Sequence, residues 1–229
     1  MRKFWEYCRE WTKFEVLLLI SGILLIFGSA LIFYGELLAP IASFAGFFYA
    51  LNQAKGKVVS HFIGIIEVIA YSWLSYKNQY YGETILFIFF IFPLCLGSIF
   101  TWIKNENKET HKVTQNNIKS KEWLFLGFTN IALFICLYFM LKIFNTDELL
   151  ISTFSVIAYL TASYLIFRRS KYSFLFYIIN DLIVIILWGI PVLNGKTILI
   201  PILLEPILLL INDIYGWLSW NKESKKEMN

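Results

Sequence analysis

Charge is scarce in this chain: Asp, Glu, Lys and Arg make up 16% of 229 residues, where a soluble domain carries about 25%. Cysteine is scarce too. Cys8, Cys95 and Cys136 are scattered, odd in number and form no C-x-x-C pair, which excludes a disulfide framework and a thiolate metal site. His61 and His111 stand far apart, with no second ligand at metal spacing. No glycine-rich loop ends in Lys-Ser/Thr, so direct drive by ATP has no basis here. No serine occupies a nucleophile elbow, which excludes that route to hydrolysis. No basic patch interleaves with aromatics, so nucleic acid is not an expected partner. No A-x-A-like cleavage site follows the first apolar run, which therefore reads as a retained helix. The expectation is a protein that is not an enzyme and uses no cofactor or metal.

What the chain has instead is apolar surface. It is 58% hydrophobic with a mean hydropathy of +0.64, more than a soluble domain of this size can hide. Runs near the ~20 apolar residues that cross a bilayer occur at 15–34, 37–53, 58–76, 83–103, 122–142, 148–167, 173–192 and 197–220. The runs at 37–53 and 173–192 are short or carry polar residues. The expected class is an all-α integral membrane protein of eight transmembrane helices. Its basic residues fit that reading. All fall in the N-terminus, in alternate loops (Lys55 and Lys57; 104–121; Arg168 to Lys171) or in the tail, except Lys77, Lys142 and Lys196. By the positive-inside rule both termini and the 104–121 loop face the cytoplasm, which places the chain as a multi-pass protein of the cell membrane.

A repeat organises these segments. Gly82, Thr84, Ile85, Leu86 and Pro93 recur as Gly195, Thr197, Ile198, Leu199 and Pro206, 113 residues later without a gap. Ser60 pairs with Ser173 at the same offset. Each copy spans three segments and one segment separates them, so the copies face the membrane the same way. The organisation is 1+3+1+3, two parallel triple-helix-bundle repeats. An extra N-terminal helix without counterpart (1–36) precedes the first bundle (37–103). A solvated cytoplasmic linker (104–121), a connecting helix (122–147), the second bundle (148–220) and a charged, disordered tail (221–229) follow. Pro93 and Pro206 lie mid-helix at equivalent places and read as a paired hinge or as packing kinks.

Polar residues inside the apolar runs mark a candidate cavity, because ionisable groups at bilayer depth face partners or water. Glu67 lies mid-segment, and its counterpart at the repeat offset is Asn180, followed by Asp181. Helical spacing puts Trp188 on the Asn180 face and Tyr71 with Ser75 on the Glu67 face. Glu205 and Asn212, seven apart, share a face beside the kink. Taken singly, each fits an interhelical hydrogen bond; the set points to an aqueous substrate site. Among the aromatics, Trp102, Trp217 and Trp220 lie near segment ends and read as membrane-interface anchors, while Trp73 and Trp188 are deeper stacking candidates.

The segments "WTKFE", "AKGKVVSHFIGIIEVIAYSWLSYKNQYYGE", "RRSKYSFLFYIINDLIVIILWG" and "INDIYGWLSW" together resemble the PnuC family of vitamin transporters. That resemblance covers almost the whole chain. It implies a SWEET-like scaffold and facilitated diffusion of an unphosphorylated vitamin such as nicotinamide riboside. A cytoplasmic kinase then traps the substrate by phosphorylation for NAD biosynthesis. It also implies binding roles for Asn180 and Trp188. The first unit departs from the family: Glu67 in "GIIE" replaces its usual asparagine, and Phe87 and Cys95 stand where amides are common. A carboxylate beside aromatic faces suits a pyridinium or thiazolium cation. Proton-coupled transport through Glu67, Asp181 or Glu205, carriage of another nucleoside or a thiamine-like vitamin, and a non-transporting sensor or assembly subunit are the alternatives. A homo-oligomer is left open.

Overall fold

The computed structural model describes residues 10–33, 38–77, 81–144, 148–195 and 200–227. Arg2, Lys3, Cys8, Arg9, Lys196, Thr197, Ile198 and Leu199 lie outside the described residues, as do the side chains of Ser75 and Lys77. Helices account for all the regular elements among the described residues: α1 (Lys13–Phe33), α2 (Leu38–Ala54) and α3 (Val59–Lys77). A fourth run follows, made of α4 (Tyr81–Leu86), a π-helical turn (Phe87–Ile91) and α5 (Phe92–Lys104). Then come α6 (Ser120–Ile143), α7 (Leu149–Phe167), α8 (Tyr172–Leu193) and α9 (Ile200–Glu227). By length and composition, Thr84–Lys104, α6, α7 and α8 are each long and apolar enough to cross a membrane. The π turn explains how Pro93 is accommodated. Proline cannot donate the i→i−4 bond and its ring crowds the preceding turn; the widened turn, with Phe92 N–H donating to the Phe87 carbonyl, relieves that crowding.

The repeat is visible bond by bond where the first helix of each unit ends. Gly56 N–H donates to Gln53 O and Lys57 N–H to Asn52 O. At the 113 offset, Arg169 N–H donates to Ile166 O and Ser170 N–H to Leu165 O. This is the Schellman cap in both places, with Gly56 (φ 69°) and Arg169 (φ 59°) in the left-handed region. The next turn repeats as well: Ser60 N–H bonds Lys57 O, and Ser173 N–H bonds Ser170 O. One loop holds both caps, through Val113 N–H to Gly56 O and Asn116 N–H to Arg169 O. Both copies therefore present this end, the basic end, to the same side.

Helix contacts close a ring. Within the first unit α2 packs on α3 and α3 on α5; within the second α7 packs on α8 and α8 on α9. The units meet reciprocally, α9 on α2 and α5 on α7. Helix α1 packs outside the α2–α9 seam and α6 packs on α7, with Leu133 and Leu137 of α6 against Val68, Phe87, Ile91 and Leu160.

Helices α1 and α6 also carry matching ion pairs. Thr12 and Glu15 form a capping box, Thr12 N–H to Glu15 Oε2 at 2.7 Å and Glu15 N–H to Thr12 Oγ1 at 3.2 Å. Glu15 then accepts from Lys55 Nζ at 2.8 Å and from the Tyr215 hydroxyl at 2.8 Å. In the second half, Glu122 accepts from Arg168 Nε at 2.5 Å and Nη2 at 3.0 Å and from the Tyr164 hydroxyl at 3.0 Å. Lys55 and Arg168 are 113 apart, so the N-terminal helix has a counterpart in position and chemistry. Burial pulls the Lys55 ammonium down while Glu15 opposes the shift; the Glu122 carboxylate holds the Arg168 guanidinium above its ordinary range. The Lys55–Glu15 side chains are 4% exposed each, those of Arg168 and Glu122 36% and 16%. Glu15→Gln is therefore expected to cost about 2 kcal/mol, and Glu122→Gln under about 1 kcal/mol, in thermal melting of the detergent-solubilised protein.

Three expectations need correction at the basic end. The 104–121 linker is not a free solvated strand. It folds back through a Glu106–Val113 bridge and buries Val113 among Ala54, Trp102, Ile166, Phe174 and Trp220. Its Gln115 amide donates to Trp220 O at 2.8 Å. Nor is the tail unstructured from residue 221: α9 runs to Glu227, held by the Lys112–Glu223 ion pair and by Lys171 Nζ to Ser224 Oγ at 3.5 Å. Finally, Trp102 and Trp220 are not interface anchors. They are 0% and 1% exposed, because each indole N–H serves the first helix of the opposite unit: Trp102 Nε1 to Ile166 O and Trp220 Nε1 to Ala54 O, both 3.0 Å.

Candidate functional site

The ring turns its carboxylates inward. Glu67 on α3 lies against Gly46 of α2, where a Cβ would stand 3.3 Å from Glu67 Oε1; the glycine leaves the room the carboxylate occupies. Glu67 lies within electrostatic reach of Glu205 on α9, and Glu205 Oε2 accepts from Ser43 Oγ of α2 at 2.8 Å. Ser43 and Gly46 are one helical turn apart, so α2 serves both carboxylates from one face. On α8, Asn180 Oδ1 accepts from Ser155 Oγ of α7 at 2.8 Å. Asp181 stands beside Asp213 of α9, whose Oδ1 accepts from Asn212 Nδ2 at 3.0 Å. Glu67 Oε2, Asp181 Oδ2 and Asn212 Oδ1 are buried with no hydrogen-bond partner.

Of the residues singled out from sequence, Glu67, Glu205, Asn180, Asp181 and Asn212 are drawn inward, the last three at 9%, 2% and 0% exposure. Tyr71 lies tilted against Phe87 at 4.4 Å between ring centroids, and Trp188 is half-buried on α8. Trp73 stands apart, 61% exposed and nearest in ring contact to Tyr76. Pro93 is exposed beside the π turn and Pro206 is buried in α9. Sequence reasoning missed Ser43, Ser155 and Asp213. The last had a signal: the dipeptide Asn-Asp at 180–181 recurs at 212–213 after the same apolar lead-in, "YIIND" and "LLIND".

The described ion pairs join Glu10, Glu15, Glu106, Glu122 and Glu223 to their bases, all at the basic end. None reaches the inward carboxylates. Between α2, α5 and α7 the interior narrows to a cavity of about 10 Å³, room for about one water. Its walls include Tyr49, Cys95, Ser98, Tyr159 and Ser163.

Such a ring of apolar helices, closed around amides and around carboxylates that pair with no base among the described residues, has the build of a membrane transporter. The chain belongs to the nicotinamide mononucleotide transporter family, whose profile matches residues 36–222. It is 26% identical over 226 residues to the nicotinamide riboside transporter PnuC of Neisseria mucosa, covering 94% of this chain and 84% of that protein. It is 22% identical over 223 residues to the PnuC of Haemophilus influenzae, covering 96% and 95%. The crystal structure of the vitamin B3 transporter PnuC shares the fold, with a TM-score of 0.79 at 21% identity over 94% of each chain.

Proposed function

We propose that this chain imports nicotinamide riboside, or a similar cationic vitamin, across the cell membrane by facilitated diffusion. The two triple-helix units give alternating access, and a cytoplasmic kinase traps the product by phosphorylation. The basic end, with both termini and the 104–121 linker, faces the cytoplasm under the positive-inside rule. One observation carries the reading: Glu67 and Asp181 each keep an unpartnered buried oxygen inside a ring built of the family's helices. A buried carboxylate without a partner is costly, and a pyridinium beside it balances its charge. The same lining separates riboside from mononucleotide. A phosphate adds about −1.5 to −2 charges at neutral pH and would meet carboxylates instead of bases. Asn180 supports the substrate by hydrogen bonding and Trp188 by stacking. Glu67, Asp181 and Glu205 balance its charge.

The neighbouring Asp181 and Asp213 carboxyls favour a second reading, proton-coupled flux. Purified protein in liposomes is expected to give saturable uptake of labelled nicotinamide riboside, no uptake of the mononucleotide, and no response to a proton gradient. Folded protein with no riboside flux would sink the proposal. Flux that follows the gradient would select the second reading.

A further inference from the structure

We infer that a layer of hydroxyls and an amide, built by Tyr49, Gln53, Ser163 and Tyr177, is the sugar-reading half of the transport site. It lies about two helical turns from Ser43 and Glu205 towards the basic end. The inference rests on the riboside reading and assigns to these residues the ribose, not the base.

The layer draws on both units, which meet where Tyr49 and Ser163 wall one cavity. On α2, Gln53 Nε2 donates to the Tyr49 hydroxyl at 2.6 Å. Between α7 and α8, Ser163 Oγ and the Tyr177 hydroxyl stand 3.4 Å apart, and Gln53 lies close to Tyr177 across the seam. Gln53, Ser163 and Tyr177 are 2%, 6% and 7% exposed, and Tyr49 and Ser163 wall the narrow central cavity. These groups are buried in the bundle, where polar side chains are costly unless paired.

The repeat distinguishes a functional layer from a scaffold. Tyr49, Gln53, Ser163 and Tyr177 have Ala162, Ile166, Ala50 and Gly64 as their counterparts at the 113 offset. The same four places are apolar in the other copy, so the bundle does not need polarity there. Ser60 and Ser173, polar in both copies and 0% exposed, are what scaffold polarity looks like. A hydroxyl both donates and accepts and rotates to suit. A vicinal diol can therefore replace the long Ser163–Tyr177 contact and leave no group unpaired. A sugar lacking one hydroxyl leaves an orphan. The carboxylate layer takes the cationic ring, the hydroxyl layer takes the ribose, and the substrate lies along the ring axis with its sugar towards the basic end.

The test compares nicotinamide riboside with its 2′-deoxy analogue in liposomes carrying the full chain. Tyr177→Phe and Ser163→Ala are each expected to raise KM for the riboside about tenfold, leave the maximal rate within about twofold, and leave KM for the deoxy analogue unmoved. Ser163→Ala removes one oxygen from a small side chain and keeps the test open if Tyr177→Phe misfolds. Equal shifts for both substrates, or none, would mean a structural layer and overturn the inference while riboside transport stands. Wild-type protein that carries neither sugar would overturn both readings.

Discussion

Trp220→Ala is expected to lower the melting midpoint of the detergent-solubilised protein by about 10 °C or more. Truncating a buried tryptophan costs about 3–5 kcal/mol, and a protein of this length shifts by about 2–4 °C per kcal/mol. The setting argues for the upper part of that range. Trp220 is 1% exposed, its ring lies 6.0 Å from that of Trp102 and 5.3 Å from that of Phe174, and its N–H occupies the Ala54 carbonyl. The linker fastens to the same residue through Gln115, so the variant loosens α2, α9 and the linker together. Trp102→Ala is expected to behave alike, since Trp102 makes the reciprocal bond to Ile166. The phenylalanine variants separate bulk from bonding. Trp220→Phe keeps most of the packing and leaves one carbonyl unpaired, for a loss of about 1–3 kcal/mol. It should also open the basic end more often, read as faster labelling of the buried Cys95 in a Cys8→Ser, Cys136→Ser background. Unchanged labelling in Trp220→Phe would confine the two tryptophans to stability.

Much of this arrangement is legible in the sequence. Apolar runs locate the helices because the bilayer fixes their length, and the ungapped offset locates the second copy because both copies fold into the same caps. Partners across the ring were harder to read. Lys55 and Arg168 obey the offset of 113, but Glu15 and Glu122 are 107 apart. A fixed-offset comparison therefore pairs the bases and misses the acids, and the N-terminal helix looks unmatched. Tryptophans near segment ends resemble interface anchors in sequence; only the facing carbonyls of Ala54 and Ile166 reveal that two of them point inward. Glu67, Asn180 and Asp181 stood out because charge and amides are rare at that depth. Tyr49 and Tyr177 did not, because 13 tyrosines and 22 phenylalanines drown a hydroxyl that matters among rings that only fill space.

Glu67→Gln is expected to raise KM for nicotinamide riboside about ten- to a hundredfold. A unit charge about 5 Å from a carboxylate at an effective dielectric of about 20 gains about 3 kcal/mol, of which the amide dipole recovers a part. The substitution preserves size, and the space beside Gly46 accommodates either side chain, so packing is not the variable. The loss should track substrate charge: a neutral riboside of equal shape is expected to lose nothing. Glu205→Gln supplies the control, because Glu205 is already engaged by Ser43 while Glu67 Oε2 has no partner; its effect on KM should be the smaller. If both carboxylates serve one cation, the double variant will depart from the sum of the single effects, as groups sharing a partner do. If Glu67 instead only ties α3 to its neighbours, Glu67→Gln will move the melting midpoint and leave the ratio of cationic to neutral uptake where it was. That ratio separates a charge held for the substrate from one held for the fold.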